Sequence, residues 1–253
     1  MLKNERALFY GYVSIWVKHH LQPVRFSKLI AMPNKDDRNK KHASAPKKTG
    51  LREKGKQERR RRIQAAARRE FSEKGYDVAT TRDIALQAEV GIGTLFTYAK
   101  DKRELLMMIV NEDLDKVSEQ VERAIKGDQP LLDQLTAFYK PRYDYWAAHP
   151  ALGRPMVREI MDVVGATKEP GPETARFYER RSRMMAMLQK IVESRQTSGE
   201  VIRDAPVTLI ASLFMTIYLT EVRRWVNQEK PDAQEGLARF RELAALAIRG
   251  VQR

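Results

Sequence analysis

Residues 63–106 read IQAAARREFSEKGYDVATTRDIALQAEVGIGTLFTYAKDKRELL and follow four consecutive arginines, Arg59 to Arg62. Ile63, Ala67 and Phe71 recur at four-residue spacing, which lays one apolar stripe along a first helix. Gly75 stops that helix, and Lys74 just before it suits the negative end of the helix dipole. Thr80 and Asp83 form a Thr-x-x-acid capping pair that opens a second helix, with Ile84 and Ala85 facing inward. Ala88-Glu89-Val90 is a three-residue turn, and a third helix runs from about Gly91 to Ala99. Two short helices joined by such a turn have the geometry of a helix-turn-helix, whose second helix enters the major groove of DNA.

The order Ile63, Ala66-Ala67, Phe71, Gly75-Tyr76, Thr80, Asp83-Ile84-Ala85, Ala88, Val90, Gly93-Thr94-Leu95-Phe96, Lys102 and Leu105-Leu106 resembles the DNA-binding domain of TetR/AcrR-type transcriptional regulators. The likeness covers about 45 residues without a gap, whereas the remaining chain matches as a string of helices of suitable number and length. It implies an all-α protein, with an N-terminal three-helix DNA-binding domain and a C-terminal helical domain that binds ligand and dimerises. The expected divisions are an N-terminal extension and basic linker over 1–57, the helix-turn-helix domain over 58–104, and the effector-binding and dimerisation domain over 105–253. The expected function is a repressor that binds a palindromic operator in double-stranded DNA as a homodimer, released by a small apolar effector. The competing reading is a helical-bundle interaction or ligand-binding protein of the same fold with weak or lost DNA binding.

A recognition helix shows base edges to the groove on one side and core residues on the other. Val90, Leu95 and Ala99 suit the core, which leaves Ile92, Gly93, Thr94, Thr97 and Tyr98 for the groove. By the resemblance, Thr94, Thr97 and Tyr98 contact bases or nearby phosphates, and Thr80 and Lys102 hold phosphates. Ile92 suits a thymine methyl. Arg59, Arg60, Arg61 and Arg62 are placed to reach the backbone or an adjacent minor groove, and Thr81, Arg82, Gly91 and Phe96 complete the expected DNA-contacting set. Three residues depart from the family pattern. Glu89 stands where glycine is usual, Phe96 replaces a tyrosine whose hydroxyl often bonds a phosphate, and Gly91 occupies a position often held by serine. Their combined effect is to weaken or retune the hold on DNA.

The 253 residues contain no cysteine, which excludes a disulfide framework and thiolate metal sites and fits a reducing cytoplasm. The net charge is +14, and its distribution is uneven: residues 1–62 hold 18 of the 47 Lys and Arg but 5 of the 33 Asp and Glu. A basic arm beside a helix-turn-helix favours salt-dependent phosphate contact. Residues 33–57, poor in apolar side chains, read as a flexible linker. Upstream, ALFYGYVSIWV (7–17) is too short to cross a bilayer as a helix, and no cleavage site follows it. An interfacial helix, a docking segment and an upstream extension before a native start at Met32 all stay open, and the last is the expectation. No integral membrane association is expected.

Helices are expected over 102–125, 131–148, 150–164, 174–198, 206–227 and 233–249, with no sheet. The resemblance implies an apolar effector cavity among them, and its expected wall is Phe138, Tyr139, Tyr143, Trp146, Met156, Met161, Phe177, Met184, Phe214 and Tyr218. Arg158, Arg176, Arg180, Arg181 and Arg183 are candidates to meet an anion. The last two helices, with Leu209, Leu213, Met215, Ile217 and Leu219, then Leu237, Phe240, Leu243, Leu246 and Ile248, are too apolar for a monomer surface, and the resemblance implies a four-helix dimer interface there. No Ser-His-acid set, phosphate-binding glycine loop or His/acid metal spacing is present, so neither catalysis, cofactor nor metal is expected.

Overall fold

The computed structural model describes residues 47–125, 127–161 and 170–251, and these described residues pack as one unit. Nine helices lie among the described residues: α1 (Lys47–Glu73), α2 (Thr81–Gln87), α3 (Ile92–Tyr98), α4 (Lys102–Ala124), α5 (Leu131–Ala148), α6 (Pro150–Met161), α7 (Pro172–Ser198), α8 (Val207–Val226) and α9 (Ala233–Arg249). The described residues contain no β-strand, so the protein is all-α as expected. The apolar segment 7–17, Met32 and linker residues 33–46 lie outside the described residues.

Local chemistry sets the helix ends. Thr80 Oγ1 accepts from the Asp83 N–H at 3.1 Å and starts α2. Asp101 does the same for Glu104 at 2.8 Å and starts α4, and Asp232 for Glu235 at 2.8 Å at the start of α9. Gly75, at φ 83°, takes the left-handed conformation that turns the chain after α1. Lys74 lies one residue beyond α1 and pairs with Glu70 at 2.8 Å.

The first helix differs from expectation. It begins at Lys47, eleven residues before Glu58, so residues 47–57 are helical rather than linker. The stretch KKTGLREKGKQ reads as linker because it has almost nothing to bury. As a continuation of a helix already nucleated by Ile63, Ala67 and Phe71, it needs to bury nothing, and its Lys, Arg, Glu and Gln are good helix formers. The four arginines therefore ride on a helix and point in four directions.

Helices α1, α2 and α3 form a small head around Ile63, Ala67, Phe71, Ile84 and Leu95, each fully buried or nearly so. Phe71 and Tyr76 pack edge to face at 5.2 Å. Helix α4 leaves the head with an unbroken buried run from Glu104 to Asn111 and packs on α5 and α7, while α9 covers α5 and α8. The core of this larger part is aromatic. Tyr139 stacks on Tyr218 at 4.4 Å and meets Phe240 at 4.6 Å, and Tyr143 meets Trp225 at 5.0 Å. Helix α5 runs through Pro141 without ending there.

Candidate nucleic-acid interface and effector cavity

The α2–α3 pair is held from behind and open in front. Ile84, Ala85, Ala88 and Leu95 are buried, whereas Ile92 is 40% and Phe96 47% exposed. These two sit four residues apart on α3 and so share its outward face. Gly91, Gly93 and Thr97 are exposed too, and Thr94 is half-buried. The Thr97 hydroxyl donates to the Thr94 carbonyl at 2.7 Å, which leaves its lone pairs outward. Gly91 caps α3 with no side-chain bond. Thr80 is exposed beside its cap, Thr81 is half-buried and Arg82 is exposed.

The turn between them has a strained backbone. Glu89 sits at φ 52°, the left-handed region, among non-glycine residues that rarely go there. Its carboxylate accepts from Arg62 Nη1 at 3.0 Å, so the acid is 82% exposed but paired. Tyr98 is half-buried. Its hydroxyl accepts from Arg59 Nε at 3.2 Å and donates to the Lys56 carbonyl at 3.3 Å, fastening the middle of α1 to the end of α3.

Two expected DNA residues face elsewhere. Arg60 Nη2 reaches Glu173 Oε1 on α7 at 2.7 Å, so it joins the head to the body instead of facing solvent on the DNA side. Lys102 Nζ donates to the carbonyls of Asp77 and Ala79 at 3.0 and 3.2 Å and lies 4.8 Å over the Tyr76 ring. Its charge therefore closes the loop before α2. Among the described residues Arg61 pairs with Glu58 at 3.3 Å, and its side chain is 77% exposed. Val78 (69% exposed) and Leu86 (80% exposed) lie open beside this surface, and the reading of the sequence missed both. An apolar residue off the inward stripe carries no signal of its own.

Behind the head, a chain of polar contacts runs into the body. Glu104 is 1% exposed, and its carboxylate accepts from the N–H groups of Glu173 and Thr174 at 2.9 and 3.0 Å and from the Thr174 hydroxyl. It thus satisfies the orphan donors at the start of α7. Gly171 permits this: a Cβ there would come within 2.3 Å of the Glu104 carboxyl carbon. Asn111 Nδ2 donates to the carbonyl and Oε2 of Glu173 at 2.8 and 2.9 Å, and Arg180 Nη1 donates to Asn111 Oδ1 at 2.6 Å. Arg180 also pairs with Asp115 at 2.7 Å, and Arg176 pairs with the same carboxylate. Burial pushes the Asp115 carboxyl up, but the bonds and charges of Arg180 and Arg176 outweigh it and hold the carboxyl below its ordinary value.

Arg180 ends this chain in the wall of a cavity between α4, α5, α6, α7 and α8. The cavity is open at one side and spans about 700 Å³ together with the solvent space at its mouth. Trp146, Phe177, Met184 and Tyr218, all expected in the wall, line it. Phe138, Tyr139, Tyr143, Met156 and Phe214 do not: each is fully buried and fills the space between α5 and its neighbours. The Met161 side chain lies outside the described residues. Of the arginines considered for an anion, Arg180 and Arg181 line the cavity. Arg158 instead pairs with Asp77 at 2.7 Å and Arg176 with Asp115, so both serve ion pairs away from the wall. Leu114, Val117, Val157, Leu219, Val222 and Arg142 complete much of the wall. Arg142 had a legible signal: Phe138, Arg142 and Trp146 repeat every four residues, which sets a basic residue on the buried stripe of α5.

Residues 63–107 match the profile of the bacterial regulatory proteins of the tetR family. Over 71 residues the chain is 37% identical to the HTH-type transcriptional regulator HbdR of an Aromatoleum species, covering 28% of this chain and 31% of that relative's length. A crystal structure of a tetR-family regulatory protein from Rhodococcus RHA1 superposes with TM-score 0.54 at 25% identity, covering 77% of this chain and 97% of that one. FadR from Bacillus subtilis, crystallised in complex with stearoyl-CoA, shares the fold at TM-score 0.57 and 23% identity, covering 72% of this chain and 95% of that one.

Proposed function

Since the chain belongs to the tetR family of bacterial regulatory proteins through residues 63–107, we propose that this transcriptional regulator is a repressor that binds a palindromic operator as a homodimer. The observation that carries the reading is the outward face of α3. Ile92, Gly93, Phe96 and Thr97 are exposed on a helix whose opposite side, Leu95, is fully buried against the head. A helix anchored so firmly yet left bare on one side has the form of a groove-reading element. Arg59, Arg61 and Arg82 flank it as phosphate contacts.

The dimer reading is supported by Leu209 (64% exposed) and Leu213 (40% exposed) on α8 and Leu246 (58% exposed) on α9. Large apolar side chains repeated along adjacent helices favour cover by a second copy. The effector is a hydrophobic molecule taken into the cavity between α4 and α8, and the stearoyl-CoA complex of a protein with this fold supports an effector with a long apolar body. The protein acts in the cytoplasm. Ligand favours one separation of the two heads over another and so lowers DNA affinity.

Glu89 favours a second reading, in which the fold is kept but DNA affinity is weak. Its left-handed backbone and its negative charge beside the recognition helix both oppose binding. A gel shift of the full chain on its own upstream region, repeated across salt concentrations, separates the two. A palindromic fragment should be retained, with affinity falling steeply as salt rises. The double variant Thr97→Ala/Tyr98→Ala should release it. A folded dimer that selects no sequence from a genomic library refutes the repressor reading.

A further inference from the structure

The cavity wall carries a charge that no carboxylate among the described residues answers. Arg142 is 5% exposed, lies among aromatic side chains and faces the cavity. A guanidinium has five N–H groups in a fixed fork and keeps its charge in proteins. Among the described residues one of them finds an acceptor: Nη1 donates to the Phe138 carbonyl at 2.8 Å, with the Phe138 ring 4.8 Å from the guanidinium carbon. Among the described residues no carboxylate lies within ion-pair distance of Arg142, although Arg180 in the same wall has both Asp115 and Asn111. Nor does Arg181, also in the wall, take part in any ion pair among the described residues. Tyr218, beside them, accepts from Trp146 Nε1 at 3.3 Å and keeps its own proton to donate.

A buried charge without a partner is costly, and an apolar cavity does not need one to hold an apolar molecule. We infer that the effector is an amphipathic acid: an apolar body against Leu114, Val117, Val157, Phe177 and Met184, and a carboxylate paired with the Arg142 guanidinium. The fork of N–H groups matches two carboxylate oxygens, and the Tyr218 hydroxyl can give a further bond. The inference rests on the cavity being the effector site. It separates a free acid from its neutral ester or thioester, because only the acid brings an anion into the wall itself.

The test is calorimetric titration of the full chain, without DNA, with decanoate and 2-naphthoate, each beside its methyl ester, and with decanoyl-CoA. At least one acid should bind about tenfold or more tightly than its methyl ester. Arg142→Met, which is apolar and follows the path of the arginine stem without its guanidinium, should bring acid and ester to parity while keeping the ester's affinity. Arg142→Lys should restore part of the preference. Equal affinity for acid and ester in the unaltered protein overturns the inference. So does equal loss of both in a folded Arg142→Met protein, tighter binding of decanoyl-CoA that ignores Arg142→Met, or binding of neither acid by a chain that shifts its operator. The gel shift without added acid reads the repressor proposal separately. Preferential binding of an acid by a chain that has no DNA affinity sinks that proposal and supports this one.

Discussion

Arg60 on α1 donates to Glu173 at the start of α7 across 2.7 Å, and so ties the DNA-facing head to the helix that walls the cavity. The Glu173 side chain is 8% exposed and Arg60 31%, so the pair is better shielded from solvent than a surface ion pair. Glu173 leads on through Asn111 to Arg180, which reaches the cavity. A change in how Arg180 is held therefore has a continuous polar route to α1.

Removing Arg60 tests that route. Arg60→Ala should destabilise the fold by about 1–2 kcal/mol, because it leaves the largely buried Glu173 with the Asn111 amide and a longer ion pair to Arg176 at 3.6 Å. In a double-mutant cycle with Glu173→Gln, which keeps an acceptor for Asn111, the coupling read by urea unfolding should be about 1 kcal/mol. If the pair also transmits the effector, Arg60→Ala should shrink the ligand-dependent change in operator affinity by about threefold to tenfold. Full additivity in the cycle, with an unchanged response, would show that Arg60 is a bystander.

Glu89→Gly tests the turn. Glycine relieves the left-handed backbone at φ 52°, which costs a non-glycine residue about 1 kcal/mol, while the lost bond to Arg62 is exposed and contributes less. The variant should melt a few degrees higher. It should also bind DNA several-fold more tightly, because a negative charge leaves the interface and Arg62 is released. The salt dependence of the operator affinity should steepen by about one phosphate contact. Weaker DNA binding would mean that the Arg62–Glu89 pair positions the head.

The head was legible in the sequence because each step has a local cause: Thr80 with Asp83 for the cap, Gly75 for the turn, Ile63, Ala67 and Phe71 for the stripe. Glu89 was legible for the same reason, as a residue out of place at a position that asks for glycine. Partners distant in the chain were not. Nothing near Arg60 says that it meets a residue 113 positions away, and nothing near Lys102 says that two carbonyls of the preceding loop will take its charge. The cavity suffered most. Aromatic residues on α5 divide between core and wall by a rotation of one helical step, which periodicity does not fix to better than a residue. The large side chains Tyr139 and Tyr143 went to the core, and Arg142 between them went to the wall.

Asp115 makes the acid limb of the stability curve a test of the cavity wall. Arg180 and Arg176 hold its folded value below the ordinary 3.8, despite an opposing push from burial. A carboxyl depressed in the folded state adds stability that is present above its unfolded value and lost as pH falls through its folded value. Asp115→Asn should therefore be less stable than the unaltered protein near neutral pH, and the difference should begin to shrink below about pH 3.8 and close once pH has fallen through the lower folded value. Urea midpoints at neutral and acid pH measure this. A difference that persists unchanged into acid would assign the loss to packing.

The proposed homodimer rests on the apolar face of α8 and α9. Leu209 and Leu213 are one turn apart on α8, and Leu246 lies on the adjoining α9. Left in water, such side chains forgo roughly 1.5–3 kcal/mol each. The same helices send Phe214, Trp225 and Phe240 into their own core, so a charge added on the outer face need not disturb the fold. Leu213→Glu places two like charges near a two-fold axis if α8 packs on its copy. Sedimentation velocity should then show monomer with unchanged helical content, and the shift of a full palindrome should fall by about a hundredfold or more, because the second head no longer benefits from the first. A half-site should be bound as before. A variant that stays dimeric would place the interface on another face.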